Sequence, residues 1–198
     1  MKFIELVIDE TQEFFGIDAI SLVQDPAIES DFVALKNKKK KVQFKKIDEE
    51  KRLLIGPALI PDKPIYRMNE MGEEFYVYFS KKSVRKAMEL FLSHNNQHNW
   101  TLEHEQAIQG LTVVESWTVE SKEQDKSAFY DLDVPLGTWL VSVKVNNDAI
   151  WDKYVKSGEV LGFSIEGYFM DKFEVQQSKD NLLKSIDALC QTYDSVRK

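Results

Sequence analysis

The chain has 198 residues, 43% hydrophobic and 12% aromatic, with only five prolines and eight glycines, which excludes a disordered or fibrous chain and sets one globular domain, with or without appendages, as the length prior. Its 26 basic and 33 acidic residues leave a net charge of -7, which excludes a generally basic nucleic-acid coat. A single cysteine, Cys190, excludes an intramolecular disulfide framework and favours a reducing, cytoplasmic setting, and no run approaches the roughly 18 apolar residues of a membrane span.

Met1 to Val7 is too short for a signal peptide, and Phe3 to Ile8 alternates as a strand does. Gly16 to Asp31 carries short apolar runs broken by Asp25-Pro26 and reads as a loosely structured arm. Between Lys36 and Arg52 stand nine Lys/Arg against three Asp/Glu, so this stretch carries about +6 and the rest of the chain about -13. Such a run is a solvated linker or an electrostatic tether, and Phe44 alone is too little aromatic content for a single-strand stacking platform. A compact domain is expected from about residue 51. Leu53 to Ile60 and Glu74 to Phe79 read as strands on either side of the turn Pro61-Asp62-Lys63-Pro64.

Ser80 is placed to cap a helix on which Val84, Ala87, Met88 and Phe91 recur at helical spacing, ending in the polar stretch 93–99. Trp100 to His104, Leu111 to Val119 and Thr138 to Val145 read as strands. Asn147 or Asp148 can cap a short helix ended by Gly158, and a strand over Val160 to Phe169 follows. Leu182, Ile186, Leu189, Tyr193 and Val196 then recur at spacings of four, three, four and three, a heptad stripe on a C-terminal helix that either packs back on the domain or self-associates. Segments of period two outnumber helices, so the fold class is α+β, mainly β, a barrel or curled sheet. The domains are 1–50, an arm with a basic linker; 51–170, the compact domain; and 171–198, a polar linker and amphipathic helix.

Three histidines are available for chemistry. His94 and His98, four apart, would share a helix face as in zinc sites, with His104 or Glu105 as a third ligand, although Asn95, Asn96 and Gln97 argue against a continuing helix. His104 ends a strand, and on the next one Leu111, Val113, Glu115, Trp117 and Val119 share a face by period two, so Glu115 interrupts an apolar row and needs a partner. A carboxylate on one imidazole nitrogen fixes the tautomer and leaves the other nitrogen free as a base. Ser164 lies in Gly162-Phe163-Ser164-Ile165-Glu166-Gly167. Its glycines permit close backbone approach, but the spacing is not that of the α/β-hydrolase nucleophile elbow, and no glycine-rich phosphate-binding motif is present.

The stretch Leu53-Leu54-Ile55-Gly56-Pro57-Ala58-Leu59-Ile60-Pro61, then Leu102-Glu103-His104, Val113-Val114-Glu115-Ser116-Trp117, Pro135-Leu136-Gly137-Thr138-Trp139 and Gly162 to Gly167 together resemble the XkdF-like phage prohead proteases over about residues 50–170. Ile17 to Val23 and Asp25-Pro26-Ala27 look like that family's N-terminal segment. The resemblance implies a serine endopeptidase, possibly self-cleaving, with the β-barrel surrounded by helices of the herpesvirus capsid-maturation protease. It maps the histidine to His104, the nucleophile to Ser164 and the third member to Glu115, with Glu166, Asp133 and Glu103 as alternatives. No cofactor is implied. The implied partners are the phage scaffold protein, the major capsid protein and further copies of the chain, with no membrane and no specific nucleic acid. The implied place is the procapsid interior in the infected bacterium's cytoplasm. Only Arg197 follows Ser164, so the arginines that serve the oxyanion in the herpesvirus enzymes have no counterpart, and backbone amides or another group must take that role. The alternative is a non-catalytic capsid-assembly or scaffold-binding protein that keeps the fold.

Overall fold

A computed structural model describes residues 2–8, 16–26, 51–69 and 71–196, with the backbone alone for 174, 178 and 187–196. In chain order the elements are β1 (Lys2–Val7), β2 (Gly16–Val23), β3 (Leu53–Leu59), β4 (Ile65–Met68), β5 (Glu74–Phe79), α1 (Lys81–Ser93), β6 (Trp100–Leu102), β7 (Gln106–Ile108), β8 (Leu111–Thr118), α2 (Lys126–Phe129), β9 (Trp139–Val145), α3 (Asp148–Ile150, continued by a wider turn over Trp151–Val155), β10 (Gly162–Tyr168), β11 (Met170–Asp171) and α4 (Lys172–Val196). The fold is mixed and mainly β, as the periodicity indicates. The strands form three sheets, β11-β1-β5-β4, β10-β2-β6-β7 and β3-β9-β8, and among the described residues they do not close into a barrel.

Local sequence explains most of the elements. The Ser80 hydroxyl accepts the Ser83 N–H at 3.4 Å and starts α1, which turns Val84, Ala87 and Phe91 inward. Phe91 meets Trp139 edge-on at 5.4 Å between ring centroids, joining α1 to the central strand β9. Asn147, rather than Asp148, caps α3, its side-chain oxygen accepting the Ile150 N–H at 3.1 Å. Fully buried Trp139, Trp151, Phe91 and Phe163 are the largest members of one continuous core.

The segment expected as a loose arm contains two strands of the domain. β1 pairs in parallel with β5 and antiparallel with β11, and β2 lies between β10 and β6. Ile17, Ile20, Leu22 and Val23 of β2 are all nearly inaccessible. A strand inserted between two neighbours has both rows of backbone groups satisfied, which short apolar runs in the sequence do not announce. The basic stretch from Lys36 to Lys46 lies outside the described residues. Deleting residues 1–26 should therefore unfold the domain, because four buried aliphatic side chains contribute roughly 6–12 kcal/mol, comparable with a whole domain's net stability of about 5–15 kcal/mol. Loss of the cooperative thermal transition is the expected result. A truncated chain that melts like the full one would show β2 to be dispensable.

The C-terminal helix begins at Lys172, with no intervening linker. Val175 is buried, and the Lys172 ammonium pairs with the Glu5 carboxylate of β1 at 2.7 Å. That bond holds the Glu5 carboxyl below its ordinary range. Leu182 and Ile186 of the heptad stripe are exposed, as is Leu183 beside them, while the side chains of Leu189, Tyr193 and Val196 lie outside the described residues. No helix among the described residues is long and apolar enough to cross a membrane.

Candidate active site

The sheet β10-β2-β6-β7 has one apolar and one polar face. Because directly paired residues point to the same side of a sheet, the register Phe163↔Leu22 and Ile20↔Trp100 sends an apolar set into the core, and the ring of Trp100 meets that of Phe163 at 5.9 Å. The same register puts Ser164 opposite Ser21, and Ser21 opposite Thr101, in a row of three hydroxyls on the other face. Glu166 follows Ser164 by two residues, and so it shares that face roughly 6–7 Å farther along β10.

His104 is brought over this row by the turn between β6 and β7. The Glu105 N–H donates to the Leu102 carbonyl at 3.0 Å, and Glu103 and His104 both adopt the left-handed conformation, with φ of 52° and 60°. For residues other than glycine each such position costs about 1–2 kcal/mol. Contacts to β2 and the residue after it offset the cost. The Glu103 N–H donates to the Leu22 carbonyl at 3.0 Å, the Gln24 N–H to Glu103 Oε1 at 2.7 Å, and the His104 N–H to Ser21 Oγ at 3.0 Å.

The imidazole then meets a carboxylate. His104 Nδ1 lies 3.0 Å from Glu166 Oε1, which also accepts the Thr101 hydroxyl. An ionised carboxylate only accepts, so Nδ1 carries the proton and, in the neutral ring, Nε2 keeps its lone pair. Ser164 is 8% exposed, and its Oγ makes no hydrogen bond among the described residues. Ser21 is fully buried and already engaged as an acceptor. Of the two serines facing each other, Ser164 is the one whose hydroxyl is uncommitted among the described residues. Nearby on β2, Asp18 is the residue left unpaired where the register shifts opposite Glu166 and Gly167. Its carboxyl is raised by partial desolvation, with the Glu166 charge adding to the shift and His94 opposing it.

The other candidate carboxylates are engaged elsewhere. Both oxygens of Glu115 accept from the Lys126 ammonium, on the sheet β3-β9-β8. The premise that Glu115 interrupts a buried row fails because Val114 is a β-bulge: Val113 pairs with Val143 and Glu115 with Ser142, so the alternation changes phase after Val113. Ser116 then faces inward, accepting the Trp139 indole N–H at 2.8 Å, and Glu115 joins the outer side. Asp133 accepts from Lys122 at 2.9 Å, and Glu103 is held by Gln24. The histidine pair does not share a helix either. α1 ends at Ser93, Asn95 turns left-handed, and His98 Nδ1 lies 3.1 Å from the Thr112 hydroxyl. Among the described residues no group of three His, Cys, Asp or Glu side chains gathers as a metal-ligand set.

Searches of curated proteins and of solved structures find no match. The family model described as "Putative phage serine protease XkdF" matches residues 41–174, which carry Ser164, His104 and Glu166 and leave out the strand β2 on which the His104 turn rests. The chain belongs to this XkdF family of phage proteins, whose name is that of a serine protease.

Proposed function

We propose that the protein is a serine endopeptidase that processes scaffold and capsid proteins inside the assembling phage procapsid, with Ser164 as nucleophile, His104 as general base and acid, and Glu166 as the orienting carboxylate. The observation that carries this reading is the 3.0 Å contact between His104 Nδ1 and Glu166 Oε1, on the sheet face that carries the uncommitted Ser164 hydroxyl; with the carboxylate as acceptor, the proton sits on Nδ1 and Nε2 keeps its lone pair. In this mechanism Ser164 Oγ attacks the scissile carbonyl while His104 Nε2 takes the hydroxyl proton. The imidazolium returns that proton to the departing amine, leaving an acyl-enzyme. Water, deprotonated by the same nitrogen, then releases the new carboxylate. Glu166 contributes by holding the ring in one tautomer and by stabilising the imidazolium. Arg197 is the sole arginine after Ser164, so the oxyanion role falls to backbone amides or another group.

Co-expression with the scaffold and major capsid proteins tests the reading. Mass spectrometry should find shortened products with Ser164 intact, none with Ser164→Ala, and no effect of chelators. Unshortened partners in both preparations would favour the non-catalytic assembly protein instead. The exposed Leu182, Leu183 and Ile186 on α4 support self-association, for which light scattering should give a mass above that of one chain. A monomeric mass removes the homo-oligomer from the reading.

A further inference from the structure

We propose that Ser21 is a positioning residue for His104, an inference that rests on the serine mechanism above and adds to it a residue from outside the matched segment. Ser21 has no accessible surface, yet its Oγ accepts the main-chain N–H of His104 at 3.0 Å across 83 positions of sequence. Among the described residues its own proton has only the carbonyl of the adjacent Leu22, at 3.4 Å. A hydroxyl at the centre of a sheet serves no packing purpose that alanine or cysteine would not serve, so its hydrogen bond is the reason to look for a role.

The geometry supplies that role. Glu103 and His104 sit at positive φ without being glycine or asparagine, so the turn sequence does not hold this conformation by itself. Three hydrogen bonds tie the turn to β2 and the residue after it. Two hold Glu103, and the Ser21 bond alone reaches the residue that carries the imidazole. Ser21 is also the register partner of Ser164 on one side and of Thr101 on the other, and Thr101 donates to the same Glu166 oxygen that faces His104. One buried hydroxyl thus fixes the base relative to both the nucleophile's strand and the carboxylate's support. Its burial and its engagement as an acceptor distinguish it from a second nucleophile.

The test uses the full chain and a fluorophosphonate carrying a fluorescent reporter, a probe that labels an activated serine without a known substrate. The unaltered protein should be labelled at Ser164, and Ser21→Ala should be labelled roughly 100-fold more slowly, the size of effect that an ångström of misplacement produces. Ser21→Thr, which keeps the hydroxyl, should be labelled faster than Ser21→Cys, which fills the space with a weak acceptor. A second readout does not need activity: the low-field proton resonance of the His104 Nδ1–H, identified by its loss in His104→Ala, should broaden or vanish in Ser21→Ala while the circular dichroism is retained. Labelling at the unaltered rate together with an unchanged resonance overturns the proposal. If Ser21→Ala does not fold, Ser21→Cys decides, and labelling equal to that of the unaltered protein overturns it. Failure of the unaltered protein to label Ser164 counts against the serine mechanism, and the resonance comparison still decides whether Ser21 holds His104.

Discussion

Ser164→Ala and His104→Ala should each abolish detectable processing, a loss on the order of 10⁶ in rate, and the double substitution should be little worse than either alone, because nucleophile and base act as one unit. Glu166→Gln should lose less, roughly 10⁴, since it removes the tautomer lock and the charge beside the imidazolium while leaving the nucleophile and the base nitrogen in place. Glu115→Gln should process its substrates at the unaltered rate. Its carboxylate serves a partly exposed pair with Lys126 on another sheet, and exposed pairs of this kind contribute about 1 kcal/mol or less. Rates of scaffold cleavage by Glu166→Gln and Glu115→Gln decide between the carboxylates. Full activity in Glu166→Gln combined with a crippled Glu115→Gln would overturn the assignment of the third residue and leave the dyad standing. Processing by Ser164→Ala, in a preparation free of host proteases, would overturn the serine mechanism itself.

The distinction between Glu166 and Glu115 shows where sequence reading stops. The motifs single out Ser164 and His104 as candidates, and the caps and apolar spacing make α1 and α3 legible. Glu115 is a candidate through the family motif and through strict alternation over Leu111 to Val119, and the alternation fails at a bulge. No residue in Val113-Val114-Glu115 signals one, because the extra residue is an ordinary valine rather than a glycine. Glu166 gave no periodic signal either, since its partner lies 62 positions away and is delivered by a turn whose Glu103-His104 pair lacks the glycine or asparagine that marks such turns. The place of β2 was hidden for a related reason. Its neighbours β10 and β6 are remote in sequence, and only their pairing turns a short apolar run into the central support of the site.

Gly167→Ala should be among the most damaging single-methyl changes in the chain. A Cβ at Gly167 would stand 1.9 Å from the Gly16 carbonyl oxygen and 2.9 Å from both Gly16 C and Ile17 Cα. All three are main-chain atoms of β2, so no side chain can rotate away, and relief requires the two strands to part at the register shift that follows Glu166. Overpacking against flexible neighbours costs about 1–3 kcal/mol, and a backbone collision belongs at or beyond the upper end. With about 2–4 °C of melting temperature per kcal/mol for a chain of this size, a drop of roughly 10 °C is expected. Gly72→Ala is the control. Nothing lies within 4 Å of its added Cβ, and its φ of +79° carries only the left-handed penalty of about 1–2 kcal/mol. Processing at a temperature where Gly167→Ala remains folded separates stability from placement. Parting β10 from β2 there moves Glu166 away from His104, so activity should fall well before the fold is lost. A variant that melts like the unaltered protein and keeps its processing rate would show that this close approach supports neither the fold nor the site.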